Sequence, residues 1–287
     1  MPMHAEYLAL MAAMLNGTIG IFTRFGLQAG LTPSALAFYK CFIAFAIIAV
    51  YCLSKPKRRA ECRALSRYWH HYALLSFFGI FCLYFFETWA FSEASIPLVA
   101  FLTYAAGGAT ILMAALFLGE RLTKFKVAAF ITILMGVYLI FLFEHGISGS
   151  MLGIILALLG GLGYALFIFL GKLLNVGGGL AVLCWLFGFG SLYLLVPFLL
   201  DGFMMPSLAA MGAIMALVLL PTIGGFFLTT KAITHGDASK VQIIETSDPL
   251  FASVFALIIF GDGLGPYGYL GAMLILIGLM LSLKRTR

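Results

Sequence analysis

Charged residues are scarce in this sequence. Only 10% of its 287 residues are Asp, Glu, Lys or Arg, whereas 63% are hydrophobic, and the mean hydropathy is +1.10. Soluble domains carry about 25% charged residues on average. The composition therefore excludes a soluble core as the main body of the protein and indicates a chain that resides in a lipid bilayer.

Cysteine is also scarce, and its spacing indicates no bound ion. The five cysteines are scattered without a CxxC pair, and four of them fall inside apolar runs; they are Cys41, Cys52, Cys62, Cys82 and Cys184. Disulfide frameworks and zinc sites show regular cysteine spacings. We therefore expect neither, and we expect no metal and no cofactor.

Motifs for nucleotide hydrolysis and for intramembrane catalysis are missing. Lys172 follows Gly171, but Leu173 replaces the Ser or Thr of a phosphate-binding loop, and no loop is long enough for a nucleotide domain. No H-E-x-x-H pattern occurs, and Asp248 has no aspartate partner at similar depth. These absences argue against a pump driven by ATP and against an enzyme.

Long apolar runs, by contrast, are abundant. About 20 apolar residues in a helix cross the hydrocarbon core of a bilayer, and ten such runs follow one another with short loops between them. They cover residues 5–25, 33–53, 69–91, 96–118, 124–143, 149–173, 179–199, 208–232, 239–260 and 265–283. We predict ten transmembrane helices, called spans one to ten below.

The basic residues are sorted between alternate loops. Those after spans two, four and ten hold Lys55, Lys57, Arg58, Arg59, Arg63, Arg67, Arg121, Lys124, Lys126, Lys284, Arg285 and Arg287. The loops around Gly30, Ala94, Gly146, Asp201 and Gly263 hold no Lys or Arg. Because basic loops stay in the cytoplasm, we expect both termini there, in an inner (plasma) membrane of bacterial type. The net charge of +6 then reflects topology and not a nucleic-acid partner.

The two halves of the chain resemble each other. Gly119 and Glu120 are echoed by Gly261 and Asp262, an offset of 142 positions (261 − 119 = 142). The same offset pairs Phe85 with Phe227, Thr88 with Thr230, Ala90 with Ala232, Ile133 with Ile275 and Gly136 with Gly278. A second offset of 148 (172 − 24 = 148) pairs Arg24 with Lys172. We interpret the pattern as a duplication, with one repeat in residues 1–146 and the other in residues 147–287.

An odd number of spans in each half has a topological consequence. Five spans in the first half make the second half enter the membrane with opposite polarity. The sequence thus predicts an all-α integral membrane fold of two inverted five-helix repeats. Inverted repeats are a recurrent design of secondary transporters, in which the substrate site lies near the bilayer midplane between the halves.

Four short patterns recur in one family of transporters. They are Gly119-Glu120-Arg121-Leu122, its counterpart Gly261-Asp262-Gly263-Leu264, the triplet Asp248-Pro249-Leu250, and the basic ends of spans one and six at Arg24 and Lys172. On these residues the chain resembles the drug/metabolite transporter superfamily, in the ten-helix branch made of two EamA-type repeats. The resemblance covers essentially the whole chain.

The resemblance implies a secondary transporter of small metabolites. The branch that looks most similar exports aromatic and other amino acids. We therefore expect export of amino acids, aromatic and other apolar ones with broad specificity, from cytoplasm to periplasm by alternating access without ATP. The expected partners are this small-molecule substrate and the lipid bilayer, and the oligomeric state stays open.

Polar residues in span nine are candidates for the substrate path, because polar groups are costly in hydrocarbon. Gln242, Glu245, Thr246 and Pro249 recur at helical spacing on one face, and Asp248 flanks it. We predict that Glu245, Thr246 and Asp248 bind substrate, and either acid could bind a substrate ammonium or carry a coupling proton. Pro249 deprives the Glu245 carbonyl of its helical partner, so it is either a hinge or a kink that only shapes packing.

The repeat pairing adds candidates in other spans. The offsets make Thr246 the counterpart of Tyr104, and Asn16 the counterpart of Tyr164. We predict that Asn16, Tyr104 and Tyr164 line a central cavity; the alternative is that each tyrosine fills the core and bonds a carbonyl. Trp185 lies in an aromatic stretch that either contributes to a roomy apolar pocket, or faces lipid or packs between helices. Pro221 in span eight is the second predicted hinge.

Three charged residues lie at comparable depth towards the predicted outer side. They are Arg24 in span one, Lys40 in span two and Glu87 in span three. They form either a structural charge cluster, or an outer gate or docking point for the carboxylate of an amino acid, which needs a fixed cation.

Rival functions remain at this point. Efflux of organic cations, drugs or other small metabolites is the first, since aromatic walls with Glu245 and Asp248 suit a cation. A channel is the second, although the sequence shows no repeated filter. An intramembrane enzyme is the third.

Overall fold

The computed structural model describes residues 5–94, 96–144, 150–260 and 266–283, and the regular structure of these ranges is helical. The first half contains α1 (Ala5–Asn16), α2 (Ile19–Gln28), α3 (Pro33–Ser54), α4 (Pro56–Leu65), α5 (Trp69–Ser76), α6 (Glu87–Glu93), α7 (Ile96–Ala106), α8 (Gly108–Phe117) and α9 (Lys124–Glu144). The second half contains α10 (Met151–Leu173), α11 (Leu180–Leu200), α12 (Leu208–Leu217), α13 (Phe226–His235), α14 (Ala238–Glu245), α15 (Asp248–Phe260) and α16 (Pro266–Leu283).

Two stretches have π-helical hydrogen bonding. The first π segment, Phe77–Phe86, joins α5 to α6, and the second π segment, Val218–Gly225, joins α12 to α13. A short 3-10 turn, Ser66–Tyr68, precedes α5. Runs of π-helix are rare and are frequently found at functional sites.

Among the residues that the structure describes, six helical stretches are long and apolar enough to cross a membrane. They are Ala5–Gln28, Pro33–Ser54, Pro56–Glu93, Met151–Leu173, Leu180–Leu200 and Leu208–His235. Two shorter apolar helices cover Leu102–Phe117 and Pro266–Leu281. The protein is therefore a multi-pass membrane protein, and it is helical throughout the regular structure of its described ranges. The six long stretches coincide with spans one, two, three, six, seven and eight, and the count of ten stays a prediction.

Some sequence predictions fall outside the described residues. These are the Gly261-Asp262-Gly263-Leu264 motif, the loop at Gly146, and the terminal cations Lys284, Arg285 and Arg287.

Local sequence explains where several helices begin. Thr32, Ser150 and Ser207 stand one position before α3, α10 and α12, and each hydroxyl accepts the backbone N–H three residues on, at 3.0 to 3.2 Å. Such caps satisfy a donor that the helix itself leaves unpaired, and each stabilises a helix by about 1 kcal/mol.

Three predicted spans are broken, which their apolar periodicity did not indicate. Span one is interrupted at Gly17 and Thr18, span four at Gly107, and span nine at Thr246 and Ser247. Spans three and eight instead contain the two π segments. These segments begin at positions 77 and 218, which is close to one repeat offset apart. All five irregular stretches lie in the helices that surround the site described below.

Helices α9 and α16 pack against each other through an exchange of glycine contacts. A Cβ atom added at Gly136 would lie 2.6 Å from the carbonyl oxygen of Gly271 and 2.8 Å from Ile275. Gly278 faces Ile133 and the carbonyl oxygen of Ala129 in the same way. The repeat offset pairs Gly136 with Gly278. Gly136 contacts the residues three and seven positions before Gly278, and Gly278 contacts the residues three and seven positions before Gly136. Contacts therefore move to lower residue numbers on one helix as they move to higher numbers on the other, so α9 and α16 run antiparallel.

A second pair of contacts follows the same repeat offsets. An added Cβ at Gly163 in α10 would lie 2.7 Å from the Cβ of Cys82 in the first π segment. An added Cβ at Gly224 in the second π segment would lie 2.7 Å from a methyl group of Leu15 in α1. Small residues let membrane helices approach closely, and here they hold α10 and α1 against the two π segments.

Candidate functional site

A small cavity lies where helices of both halves converge. Its volume is about 30 Å³. Six residues singled out from the sequence line it, namely Asn16, Lys40, Glu87, Tyr104, Tyr164 and Pro221. The cavity has room for a few water molecules at most and is too small for an aromatic amino acid.

Glu245 and Asp248 lie directly behind the two tyrosines of the wall. The Tyr104 hydroxyl donates to the Asp248 carboxylate, and the Tyr164 hydroxyl donates to the Glu245 carboxylate. Thr229 adds a second donor to Glu245 at 2.7 Å. Both acids are buried, with exposed fractions of 1% for Glu245 and 5% for Asp248. These hydrogen bonds offset part of the cost of removing a carboxylate from water.

The break in span nine places these two carboxylates. Helix α14 ends at Glu245 and α15 begins at Asp248, so the predicted single polar face is divided between two half-helices. Pro249 occupies the first turn of α15, where its missing N–H costs nothing because first-turn N–H groups have no helical partner. The helical spacing predicted from the sequence therefore fails at this point, and the two acids meet different tyrosines.

Gln242 fastens α14 to the first half. Its amide oxygen accepts the Thr110 hydroxyl at 3.1 Å, and the same hydroxyl lies 3.0 Å from the Ala165 carbonyl oxygen. The Gln242 amide also packs directly on Gly107, where a Cβ would collide with it. A glycine at the break in span four thus leaves space for a side chain from span nine.

Lys40 and Glu87 are also buried, with exposed fractions of 2% and 7%. The Lys40 ammonium donates to the Thr88 hydroxyl at 3.1 Å and lies 4.1 Å from the centroid of the Tyr84 ring. Such placement over an aromatic face stabilises a cation by about 0.5–2 kcal/mol. These two residues, predicted as part of an outer charge cluster, therefore share one cavity with the tyrosines.

Arg24, Thr246 and Trp185 are not among the residues that line the cavity. The Arg24 side chain is exposed, so it does not belong to the buried group of Lys40 and Glu87. The Thr246 hydroxyl turns back to the Gln242 carbonyl of its own helix at 2.8 Å, as threonine does in apolar helices. Trp185 donates its indole N–H to the Cys62 carbonyl at 3.0 Å and packs near Tyr72 and Phe189, away from the cavity wall.

A family model matches almost the whole chain and identifies the family of the protein. The model of the EamA-like transporter family matches residues 3–142 and again residues 151–284. The chain belongs to the EamA-like transporter family. It is 23% identical over 280 residues to an uncharacterized transporter of Archaeoglobus fulgidus, with 97% of this chain and 96% of that one covered. A solved crystal structure of a protein superposes with a TM-score of 0.79 at 17% identity over 97% of both chains, a likeness of fold alone.

The Gly119-Glu120 motif of this EamA-like transporter contacts the start of α14. The Glu120 carboxylate accepts the backbone N–H groups of Ala238 at 2.7 Å and Ser239 at 3.2 Å, and also the Ser239 hydroxyl. Lys126 lies 3.4 Å from Glu120 and 3.1 Å from Asp237. A carboxylate at a helix N-terminus is favoured by unpaired N–H groups and by the helix dipole. The motif therefore fixes the half-helix that carries Gln242 and Glu245.

Sequence reasoning missed several residues of the transporter's cavity. Tyr84 lies in an apolar stretch rich in phenylalanine, residues 77–86, that carries no charged or amide side chain. Thr103 and Thr222 are single threonines in apolar helices, a residue type that usually bonds its own helix. Thr229, which donates to Glu245 behind the cavity wall, was also missed. Thr222 follows Pro221 directly, and this neighbour was the one signal that could have identified it.

Proposed function

We propose that this EamA-like transporter exports amino acids, aromatic and other apolar ones with broad specificity, from the cytoplasm to the periplasm. The observation that carries the proposal is the cavity, in which buried groups of both charge signs stand inside an otherwise apolar bundle. A zwitterion needs partners of both signs, and an apolar wall accepts side chains of several sizes because one methylene changes affinity by only about 1–3 kcal/mol.

Passage of the substrate requires movement of helices. The cavity of about 30 Å³ has room for a few water molecules and cannot hold an aromatic amino acid. We propose alternating access, in which the cavity widens to one side of the membrane at a time. Helix breaks at Gly107 and at Thr246 and Ser247, with Pro221 in the second π segment, supply backbone that can bend without losing long runs of helical hydrogen bonds.

The architecture belongs to the same proposal. We propose ten transmembrane helices in two inverted repeats, residues 1–146 and 147–287. The protein lies in the inner membrane, and both termini are in the cytoplasm. The exchanged glycine contacts of α9 with α16 support the inversion, and the two family matches support the duplication. Sorting of basic residues supports the orientation.

Purified protein in liposomes tests the function. Uptake and counterflow are measured across a panel of labelled amino acids and quaternary cations, without ATP. We expect apolar amino acids to be transported and to exchange across the membrane, since counterflow is the behaviour of a carrier and not of a channel. Liposomes that move no amino acid, with or without a proton gradient, would overturn the proposal.

Efflux of organic cations is the second candidate, and one observation favours it. Among the described residues, the neighbourhood of the cavity contains three buried carboxyl groups, those of Glu87, Glu245 and Asp248, but one buried ammonium, that of Lys40. Aromatic rings of Tyr84, Tyr164 and Phe226 line the same cavity. Transport of quaternary cations with no transport of amino acids in the same panel would establish this alternative.

A further inference from the structure

Lys40 and Glu87 are buried charges whose bonding capacity is only partly used. An ammonium has three N–H donors, and the described residues give the Lys40 ammonium one hydrogen-bond acceptor, the Thr88 hydroxyl, besides the Tyr84 ring. Within the same described ranges, no side chain or backbone group donates to the Glu87 carboxylate, and the two charges attract each other without forming an ion pair. Both face the cavity.

The other two buried acids near the cavity are different. Glu245 accepts hydrogen bonds from Tyr164 and Thr229, and Asp248 accepts one from Tyr104. A ligand that bound Glu245 or Asp248 would share a carboxylate that the protein already supplies with hydrogen-bond donors. Burial of a charge is costly unless the charge is paired and hydrogen-bonded. Lys40 and Glu87 are therefore the charges that gain most from a ligand.

We propose that Lys40 binds the carboxylate and Glu87 the ammonium of a zwitterionic α-amino acid. The proposal rests on the transport function proposed above and assigns its substrate headgroup to this pair instead of to Glu245 and Asp248. An α-amino acid carries one group of each sign on a single carbon atom, so it can bridge a cation and an anion that do not themselves touch. Leu83, Leu217 and Phe226 of the same wall then face the apolar side chain.

The pair also determines what the site rejects. An amine without a carboxylate would satisfy Glu87 but place its own charge near the unpaired Lys40 ammonium. An acid without an ammonium would satisfy Lys40 but approach the Glu87 carboxylate. A site built to bind a polar group discriminates strongly against the analogue that lacks it, because its own buried group is then left unpaired.

The experiment uses the full-length protein in liposomes and three competitors of labelled phenylalanine counterflow. These are unlabelled phenylalanine, phenethylamine, which lacks the carboxylate, and 3-phenylpropanoate, which lacks the ammonium. For the wild type we expect phenylalanine to compete about 100-fold more strongly than either analogue. Lys40→Gln should remove the preference over phenethylamine, and Glu87→Gln should remove the preference over 3-phenylpropanoate. Each variant should lower the apparent affinity for phenylalanine itself by about tenfold or more.

Matched variants separate binding from charge removal in general. Lys57→Gln changes an exposed cation of α4, and Glu93→Gln changes an acid on the same helix as Glu87 that contacts Ser150 at the helix end. Both should retain the wild-type order of competitors. Lys40→Arg keeps the positive charge and should keep the preference for phenylalanine over phenethylamine. If Lys40→Gln does not fold, Glu87→Gln tests the pair through the preference over 3-phenylpropanoate.

The outcomes distinguish this inference from the proposed function. Wild-type liposomes that exchange phenylalanine, with Lys40→Gln and Glu87→Gln variants that are folded and keep both preferences, would overturn the headgroup assignment and leave amino-acid transport intact. Loss of the carboxylate preference in Lys40→Arg would also contradict it. Wild-type liposomes that exchange no amino acid would overturn the transport function itself, and with it this site.

Discussion

Tyr104 and Tyr164 are single residues whose hydroxyl groups decide how two buried carboxylates are held. Tyr104 is the donor that the described residues provide to Asp248, whereas Glu245 has Thr229 in addition to Tyr164. A hydrogen bond to a charged group contributes about 1.5–3 kcal/mol, and a buried acceptor left without any donor costs more than one that keeps a second. The two tyrosines are therefore not equivalent, although the sequence predicts the same role for both.

Replacement of each tyrosine by phenylalanine tests this difference. We expect Tyr104→Phe to lower the free energy of unfolding by about 2–3 kcal/mol and Tyr164→Phe by about 1–2 kcal/mol, because Glu245 keeps Thr229. Thermal unfolding in detergent shows which of the two variants is less stable. Tyr193→Phe is the control, since that hydroxyl donates to the Ala73 carbonyl at 3.3 Å and its loss should matter least. A larger effect at Tyr164 than at Tyr104 would contradict the assignment.

Glu245 and Asp248 remain candidates for coupling transport to protons. If either carries the coupling proton, Glu245→Gln or Asp248→Asn abolishes accumulation driven by a pH gradient and leaves exchange of labelled for unlabelled substrate. If either is an ammonium ligand, the same replacement weakens both activities. Since both acids are already held by tyrosines, we expect the first pattern. Accumulation and exchange measured on the same liposomes separate the two roles, and parallel loss of both would refute coupling.

At the scale of helices, replacing a closely packed glycine by alanine and replacing a glycine that faces open space should change stability in opposite directions. An added methyl group at Gly136 would lie within 3 Å of α16 backbone, so α9 and α16 would have to separate. The methyl group of Gly212→Ala in α12 would meet open space. Alanine replaces glycine in a helix with a gain of about 0.5–1 kcal/mol when nothing obstructs it.

We therefore expect Gly136→Ala to lower the melting temperature and Gly212→Ala to raise it slightly. The comparison has the same chemical change at both positions, so helix propensity cancels and packing remains. Equal shifts in the two variants would show that the α9 and α16 contact is not close. Gly278→Ala should behave as Gly136→Ala does, since the two glycines make equivalent contacts.

Glu120 provides a second prediction for an element, the half-helix α14. Glu120→Gln keeps an acceptor oxygen but loses the negative charge. That charge binds the backbone N–H groups of Ala238 and Ser239, the Ser239 hydroxyl and the Lys126 ammonium. We expect the free energy of unfolding to fall by about 1–3 kcal/mol and hydrogen exchange to become faster at the amides of residues 238 and 239. Glu61→Gln is the control, because its ion pair with Arg58 is exposed and such pairs contribute little. Unchanged exchange rates in Glu120→Gln would contradict the capping role.

For the whole molecule, the orientation in the membrane is open to a direct test. The Lys and Arg sorting predicts that both termini are cytoplasmic. A reporter fused to the C-terminus that is active only in the cytoplasm should therefore be active, and one that is active only in the periplasm should be silent. Activity of the periplasmic reporter would reverse the predicted orientation. The control is the same reporter inserted at Asp201, where the opposite result is expected.

The sequence alone determined that the protein is a helical membrane protein and which polar residues are unusual, because apolar runs, charges and repeated motifs are local properties of the chain. Asn16, Lys40, Glu87, Tyr104 and Tyr164 could be selected in this way. Their partners could not, since Tyr104 and Asp248 are 144 positions apart and Lys40 and Thr88 are 48 apart.

Only the tertiary structure decided where helices break, that Thr246 bonds its own helix, and that Arg24 is exposed while Lys40 is buried. Each of these depends on which neighbouring helix offers space or a hydrogen-bond partner. A periodic apolar pattern predicts a continuous helix and contains no information about that neighbour.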